Sequence, residues 1–411
     1  MKDTAVQACR FCSAALEHSV VDLGLSPLCQ NHIEPEEIGK PEMFYPLHAK
    51  VCSDCLLVQV GDSVAPGEIF SDYAYFSSYS DSWVEHARRY VEAVRARFGL
   101  DAQSQVVELA SNDGYLLQHF VAAGVPVLGI EPAANVAEAA REKGIDTLVK
   151  FFGAQTAREV LAERGPASLL LGNNVLAHVP DLNDFVAGMK ILLAPDGVIT
   201  MEFPHLLRLL DENQFDTIYH EHFSYFSFTT VRRVFAAHGM TLFDVDEIPT
   251  HGGSLRIYGC HDGARDDEPA VEALLAKERE AGLLEIDRYR AFGAQVERTK
   301  RDLLAFLIDK KNAGKTIVGY GAPGKGNTLL NYCGIREDLL DFTVDISPHK
   351  QGRCTPGARL PILAPEKILE TRPDYVLILP WNIRAEIVGK MAAVRDWGGQ
   401  FVVPIPSVKV V

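Results

Sequence analysis

Two cysteine pairs, one cluster of histidines, a set of acids after short strands and one glycine-rich turn carry the chemistry of this 411-residue chain. Cys9-Arg-Phe-Cys12 and Cys52-Ser-Asp-Cys55 are CxxC knuckles, and two such knuckles can set four thiolates around a tetrahedral ion at ~2.3 Å. Cys9, Cys12, Cys52 and Cys55 would fill the coordination shell, so a structural Zn2+ is expected, without an open position for water or substrate. Four redox-active cysteines are the competing reading, but nothing like a dithiol-oxidoreductase βαβ context surrounds them. Between the knuckles lies a Pro-, Glu- and His-containing stretch expected to have little core of its own. Further along, Tyr219-His220-Glu221-His222 sits among aromatic residues with no helical or strand periodicity. The spacing is HEH and not HExxH, so the two histidines would not share a helix face as metal ligands do. An acid–base cluster fits better: imidazole titrates near neutrality and a carboxylate can fix its tautomer, which makes His222, oriented by Glu221, the expected general base.

Short strands must position these groups. Gln105 to Leu109 reads as a buried strand, followed by the turn Ala110-Ser-Asn112-Asp113-Gly114 and a helix from Tyr115 to Ala123. A second strand, Val125 to Ile130, ends in Glu131; a third, Ser168 to Leu171, leads to Asn173, Asn174 and His178. Repeated strand–turn–helix units mean a parallel, doubly wound sheet with its ligand at the carboxyl ends of the strands. Glu131 stands roughly 20 residues after the first turn, where an acidic side chain can accept both hydroxyls of a ribose. The turn has one glycine and carries Asp113, which would repel the pyrophosphate of a dinucleotide. S-adenosylmethionine has an adenosine, no phosphate and two cationic groups, so Glu108, Asp113 and Glu131 suit it.

The last third differs. Glu268 to Lys311 reads as one or two linking helices, and Lys315 to Tyr320 as a strand. The turn Gly319-Tyr-Gly321-Ala-Pro-Gly324-Lys325-Gly326-Asn327 is a GxGxxG fingerprint with Asp345 about 20 residues on. It carries a lysine and no acid, so phosphate is welcome at its helix N-terminus. Taken alone it supports a competing reading, an NAD-dependent oxidoreductase acting on a nucleotide-sugar.

Composition sets the outer limits. Apolar residues at 47% and charged residues at 23% allow several packed cores. A formal charge of −15 argues against a nucleic-acid binder or a protein of anionic membrane surfaces. No apolar stretch approaches the ~18 residues that span a bilayer, and the N-terminus lacks an apolar signal segment, so a cytoplasmic protein without membrane partners is expected.

In order along nearly the whole chain, CxxC…CxxC, VELASNDGYLL, GIEPAANVA, GNNVLAHVP, IYHEHFSYFS, HGGSLR and VGYGAPGKGNTLLNYCGI…VDISPHKQG resemble the bacterial nucleotide-sugar C-methyltransferases. The resemblance implies an α/β protein of three parts: an N-terminal zinc-binding module (1–70), a central Rossmann-like class I methyltransferase domain (71–285) and a C-terminal Rossmann-like domain (286–411) that helps hold the nucleotide-sugar. It implies transfer of a methyl group from S-adenosylmethionine to the carbon beside the ketone, commonly C3, of a dTDP- or GDP-4-keto-6-deoxyhexose. The active-site groups it implies are Tyr75, Asn174, His178, Tyr219, Glu221 and His222. The cofactor set expected with it is Glu108, Ala110, Asn112, Asp113, Gly114, Glu131, Pro132, Phe151 and Asn173. For the substrate it suggests Gly321, Lys325, Asn327, His251 and Arg256, in a monomer or small homo-oligomer.

Overall fold

The computed structural model describes residues 8–64, 67 and 76–411. Tyr75 lies outside them. The N-terminal part is better built than its composition suggests. Strands β1 (His18–Ser26) and β2 (Tyr45–Val51) pair antiparallel between the knuckles, and β2 alternates, with Leu47, Ala49 and Val51 buried. A short β3 (Val58–Gln59) extends the ladder. The core beneath is shared: Val20, Leu23 and Leu47 belong to one cluster with Phe292, Val296 and Leu303 of the helix Phe292–Asn312. The module's core is therefore not its own alone: distant residues supply the missing apolar surface.

The central sheet contains β4 (Val106–Leu109), β5 (Val127–Ile130), β6 (Thr147–Leu148), β7 (Ala167–Asn173) and β8 (Leu193–Pro204). Next, β9 (Ser224–Tyr225) leaves this sheet and pairs antiparallel with β3, completing a four-stranded N-terminal sheet. Then β10 (Met240–Ile248) and β11 (Ser254–His261) return, giving the order β10-β11-β8-β7-β4-β5-β6. β8, β7, β4, β5 and β6 run parallel; β11 is antiparallel to both its neighbours. All four residues of β4 are buried, as expected of a strand covered by helices on both faces. The strand order reverses at β4/β7, which opens a crevice at their carboxyl ends. The helix Asp81–Phe98 lies before β4, capped by the Ser80 side chain accepting from the Trp83 N–H and closed by left-handed Gly99.

Three helices, Pro269–Glu280, Ile286–Arg290 and Phe292–Asn312, replace the expected one or two. They lead to β12 (Ile317–Tyr320), β13 (Thr343–Val344), β14 (Ile362–Leu363), β15 (Tyr375–Ile378), β16 (Gln400–Val403) and β17 (Lys409–Val410). Their order is β14-β13-β12-β15-β16-β17, parallel except for the last pair. This second doubly wound sheet reverses at β12/β15, beside Lys325 on one side and Trp381 on the other. Among the described residues no helix is long and apolar enough to cross a membrane.

Candidate active site

One cavity of about 690 Å³ lies at the β4/β7 crevice and takes walls from all three parts of the chain: Gln30, then Asn112 and Glu131, then His222, and finally Lys325 and Lys350. Its volume is in the range of ligand pockets.

At one end the turn after β4 folds back on itself. Ala110 (φ 54°), Asn112 (φ 51°) and Gly114 (φ 76°) are left-handed. At Gly114 a Cβ would meet Ile145 Cδ1 at 2.2 Å, so only glycine fits. Glu131 clamps this turn: its Oε2 accepts from the Asn112 N–H at 2.8 Å and its Oε1 from the Ala133 N–H at 2.9 Å. Burial raises its carboxyl pKa, and both oxygens keep a lone pair for a ribose. Ala110, Pro132, Phe151 and Asn173 also line the cavity. Asn173 Nδ2 and the neighbouring Asn174 Oδ1 are buried with no partner among the described residues, which suits a polar ligand there.

Three residues of the expected cofactor set lie elsewhere. Glu108 is sealed inside β4, where burial first, then Glu131 and Asp113, push its carboxyl well above the usual range. Gly114 packs on Ile145. Asp113 forms an ion pair with Lys143 at 3.1 Å and a short hydrogen bond with the Ser78 hydroxyl. Together with Asn112 Oδ1, which accepts from the Ser77 N–H at 2.9 Å, it ties residues 77–78 to the turn. The acid beside the crevice thus fastens a wall, and of the three expected cofactor acids Glu131 is the one that lines the cavity.

The other end holds the histidines. The segment after Phe215 turns through a short 3-10 helix and drops His222 into the cavity. His222 Nδ1 lies 3.1 Å from the Thr217 carbonyl, which can only accept, so in the neutral ring Nδ1 carries the proton. Its Nε2 lone pair faces the Tyr219 hydroxyl at 3.0 Å, and His178 packs edge-on with ring centroids 4.6 Å apart. Burial first, and then His178, lower the His222 pKa well below its ordinary value. His178, whose ring meets the Glu221 backbone, is brought by burial to about 4. Glu221 lines the cavity but does not orient His222: its Oε1 accepts from the Cys29 thiol at 3.4 Å, and burial pushes its carboxyl up to about 7. The expected Glu221–His222 pairing is corrected, because adjacent loop residues point apart and a backbone carbonyl holds the ring. Asn174 (φ 55°) donates through Nδ2 to His251 Nε2 at 3.2 Å, and His251 (φ 54°) meets Trp83 edge-on at 5.0 Å.

Of the residues expected to meet the substrate, His251 and Lys325 line the cavity. Arg256 does not; it pairs with buried Glu202 at 2.9 Å and stacks over Tyr90. Asn327 is buried and donates to the Cys29 carbonyl at 2.6 Å. Gly321 (φ 88°) packs against Pro380, where a Cβ would meet Cδ at 2.6 Å. The phosphate-welcoming turn reaches the cavity at Pro323, Gly324 and Lys325. A Cβ on Gly324 would meet Cys29 Sγ at 2.9 Å, and Asp345 accepts from the Ala322 N–H at 2.8 Å, so the chain itself engages one side of the turn.

Outside the cavity, the ligand atoms of Cys9, Cys12, Cys52 and Cys55 lie within 4.8 Å of one another. Cys9 and Cys55 sulfurs are 3.5 Å apart and those of Cys12 and Cys52 3.4 Å, close to the tetrahedral edge of about 3.8 Å implied by ~2.3 Å Zn–S bonds. Gln59 Nε2 donates to Cys9 Sγ at 3.2 Å, a hydrogen bond that supports a thiolate.

Three family descriptions match in sequence order: a zinc binding domain over residues 9–70, a methyltransferase domain over 83–245 and a C-methyltransferase C-terminal domain over 249–406. The C-methyltransferase NovU of Streptomyces niveus is 38% identical over 408 residues, covering 99% of this chain and 97% of its own length. The chain belongs to the C-methyltransferase family.

Solved methyltransferases are more distant. The CcbJ methyltransferase of Streptomyces caelestis is 14% identical, with 43% of this chain and 90% of that one covered at a TM-score of 0.34. The magnesium protoporphyrin IX methyltransferase of Synechocystis PCC 6803 is 14% identical, with 48% and 89% covered at 0.33. Likenesses at these scores bear on no residue. As a C-methyltransferase, the protein uses S-adenosylmethionine and carries a zinc-binding cysteine cluster. In this C-methyltransferase the sequence reading missed Gln30, Trp83, Tyr115 and Lys350 as cavity residues. Lys350 stands within the VDISPHKQG motif, a signal that was available; Gln30 and Trp83 have no local signal.

Proposed function

We propose that the protein methylates C3, the carbon beside the ketone, of a dTDP- or GDP-linked 4-keto-6-deoxyhexose in branched deoxysugar biosynthesis. The observation that carries this reading is the shared cavity, in which Glu131 and Asn112 lie at one end and the neutral imidazole of His222 at the other. A C–H beside a ketone is acidified because its carbanion delocalises onto oxygen, so one base and one oxyanion partner suffice. His222 Nε2 takes that proton, with its tautomer held by Thr217. Tyr219, His178 and Asn174 position the sugar, and Tyr75 is assigned there by the resemblance alone. S-adenosylmethionine supplies an electrophilic methyl group when bound; Glu131 receives the ribose, and Ala110, Pro132, Phe151 and Asn173 wall the donor. Holding the two reactants in line supplies much of the rate. The proposed organisation keeps a zinc module at 1–70, a methyl-transfer domain at 71–285 and a C-terminal substrate domain at 286–411, in a cytoplasmic monomer or small homo-oligomer. Incubation with methyl-labelled S-adenosylmethionine and a panel of 4-keto-6-deoxy nucleotide-sugars, read by mass and NMR, tests this. A new methyl group at C3 is expected; label transferred to oxygen or nitrogen, or to none of the panel, overturns it.

A further inference from the structure

Three lysines line the cavity, and two of them have an acidic partner. Lys150 is paired with Glu159 at 2.6 Å, and Lys350 donates to the Ala322 carbonyl at 3.0 Å with Asp345 Oδ2 at 3.7 Å. Lys325 differs. Its Nζ donates to the amide oxygen of Asn382 at 3.0 Å and stands 4.7 Å from the Trp381 ring centroid, and among the described residues no carboxylate lies within ion-pair distance of it. The carboxylate that acts on its charge most, Asp216, accepts instead from Trp381 Nε1–H at 2.7 Å and is itself pushed up to about 7 by burial. An ammonium half-buried in a cavity wall without a counter-ion is costly to keep. Two negative charges could offset it: a diphosphate that arrives with the substrate, or an oxyanion that appears during the reaction.

The surroundings favour the second. Pro323 and Gly324 of the glycine turn face the cavity, but Asp345 stands against the turn at the Ala322 N–H, 2.8 Å away, where its carboxylate would repel a diphosphate, and Lys350 is already engaged by Asp345 and a carbonyl. Lys325 instead shares the cavity with His222, Tyr219 and His251, and its charge is one of the causes that keep both histidines neutral, after burial. We propose that Lys325 is a catalytic residue supplied by the C-terminal domain, whose ammonium donates to the ketone oxygen and stabilises the enolate that forms there. This rests on the α-keto reading given above. The C–H bond breaks to His222 Nε2, its electron pair becomes the C=C bond, and the carbonyl π pair moves to oxygen opposite Lys325, which keeps its protons. The enolate carbon then takes the methyl group, the S–C pair stays on sulfur and the ketone re-forms.

Lys325→Met and Lys325→Arg, with zinc content and binding of S-adenosylhomocysteine checked for each, test the role. The readouts are turnover, binding of the nucleoside diphosphate alone, and solvent deuterium exchange at the carbon beside the ketone in the presence of S-adenosylhomocysteine. Lys325→Met should lose about 10²-fold in both turnover and exchange, the usual scale for one oxyanion donor, while nucleoside diphosphate binding stays within about threefold; Lys325→Arg should recover part of the loss. If Lys325→Met does not fold, Asn382→Ala, which releases the Nζ tether, should slow exchange with unchanged nucleotide binding, and wild-type exchange in that variant overturns the proposal. Near-wild-type exchange in a folded Lys325→Met also overturns it, as does a tenfold or greater loss of diphosphate binding with turnover kept, which would make Lys325 a phosphate anchor. If the wild type exchanges no proton with any keto-sugar, the α-keto reading falls and the role of Lys325 with it; wild-type exchange beside an unaffected Lys325→Met removes Lys325 alone.

Discussion

The Thr217 carbonyl holds His222: Nδ1 donates to it at 3.1 Å, while the adjacent Glu221 turns its carboxyl toward the thiol of Cys29 at 3.4 Å. The proposed base and the carbonyl that orients it are thus both set within one turn of loop, and the carboxylate next in sequence serves a different contact.

His222→Gln should cut turnover by roughly 10²–10⁴-fold, the usual worth of a positioned general base, with substrate binding little changed. Glu221→Gln should cost much less, about tenfold or below, because it leaves the Thr217 contact in place. Steady-state kinetics on both variants check this; equal losses would restore Glu221 as the partner of the base.

The pH profile follows from the sign of the His222 shift. Burial, His178, His251 and Lys325 lower its pKa, with the Thr217 carbonyl opposing, so the ring is neutral and able to accept a proton well below pH 6.5. The acid limb of kcat/KM should therefore lie below the ordinary histidine value, with activity lost only as pH falls through that lowered pKa. An acid limb at or above pH 6.5 would contradict the depressed base.

For the methyl donor, calorimetry with S-adenosylhomocysteine should show Glu131→Ala weaker by roughly 1.5–3 kcal/mol, the scale of a lost charged hydrogen bond. Part of the loss comes from the turn, since Glu131 also accepts from the Asn112 and Ala133 N–H groups. Glu131→Gln, which keeps one acceptor oxygen, should lose less.

Metal analysis should find one zinc per chain, and Cys52→Ser should release it. The N-terminal strands share a core with the helix Phe292–Asn312, so loss of zinc should lower the melting temperature of the C-terminal part as well. Unchanged melting of the whole chain with zinc absent would show that the cysteine cluster is not a folding determinant.

Much of the chemistry was legible in local sequence. The CxxC spacing brings four sulfurs together, and the strand–turn–helix rhythm placed Asn112, Glu131, Asn174 and Lys325 at the mouths of two doubly wound sheets. Those signals survive because they depend on a few consecutive residues: a knuckle, a buried strand such as Val106–Leu109, a glycine that alone tolerates the fold of its turn. Side-chain direction does not. Asp113 and Glu131 read alike as cofactor acids, yet Lys143 and Ser78 draw one away and leave the other in the crevice. His222 and Glu221 are neighbours in the chain and face different partners. A phosphate loop by its spelling, Gly319 to Asn327 is packed on one side against Cys29, which stands nearly three hundred residues earlier, and opens to the cavity at Pro323, Gly324 and Lys325. The sequence by itself determined which residue types reach the ends of the strands and the zinc cluster. Only the tertiary structure decided which of them share a cavity and which are consumed as ion pairs and packing contacts, because each buried polar group must find a partner and most of those partners are remote in the chain.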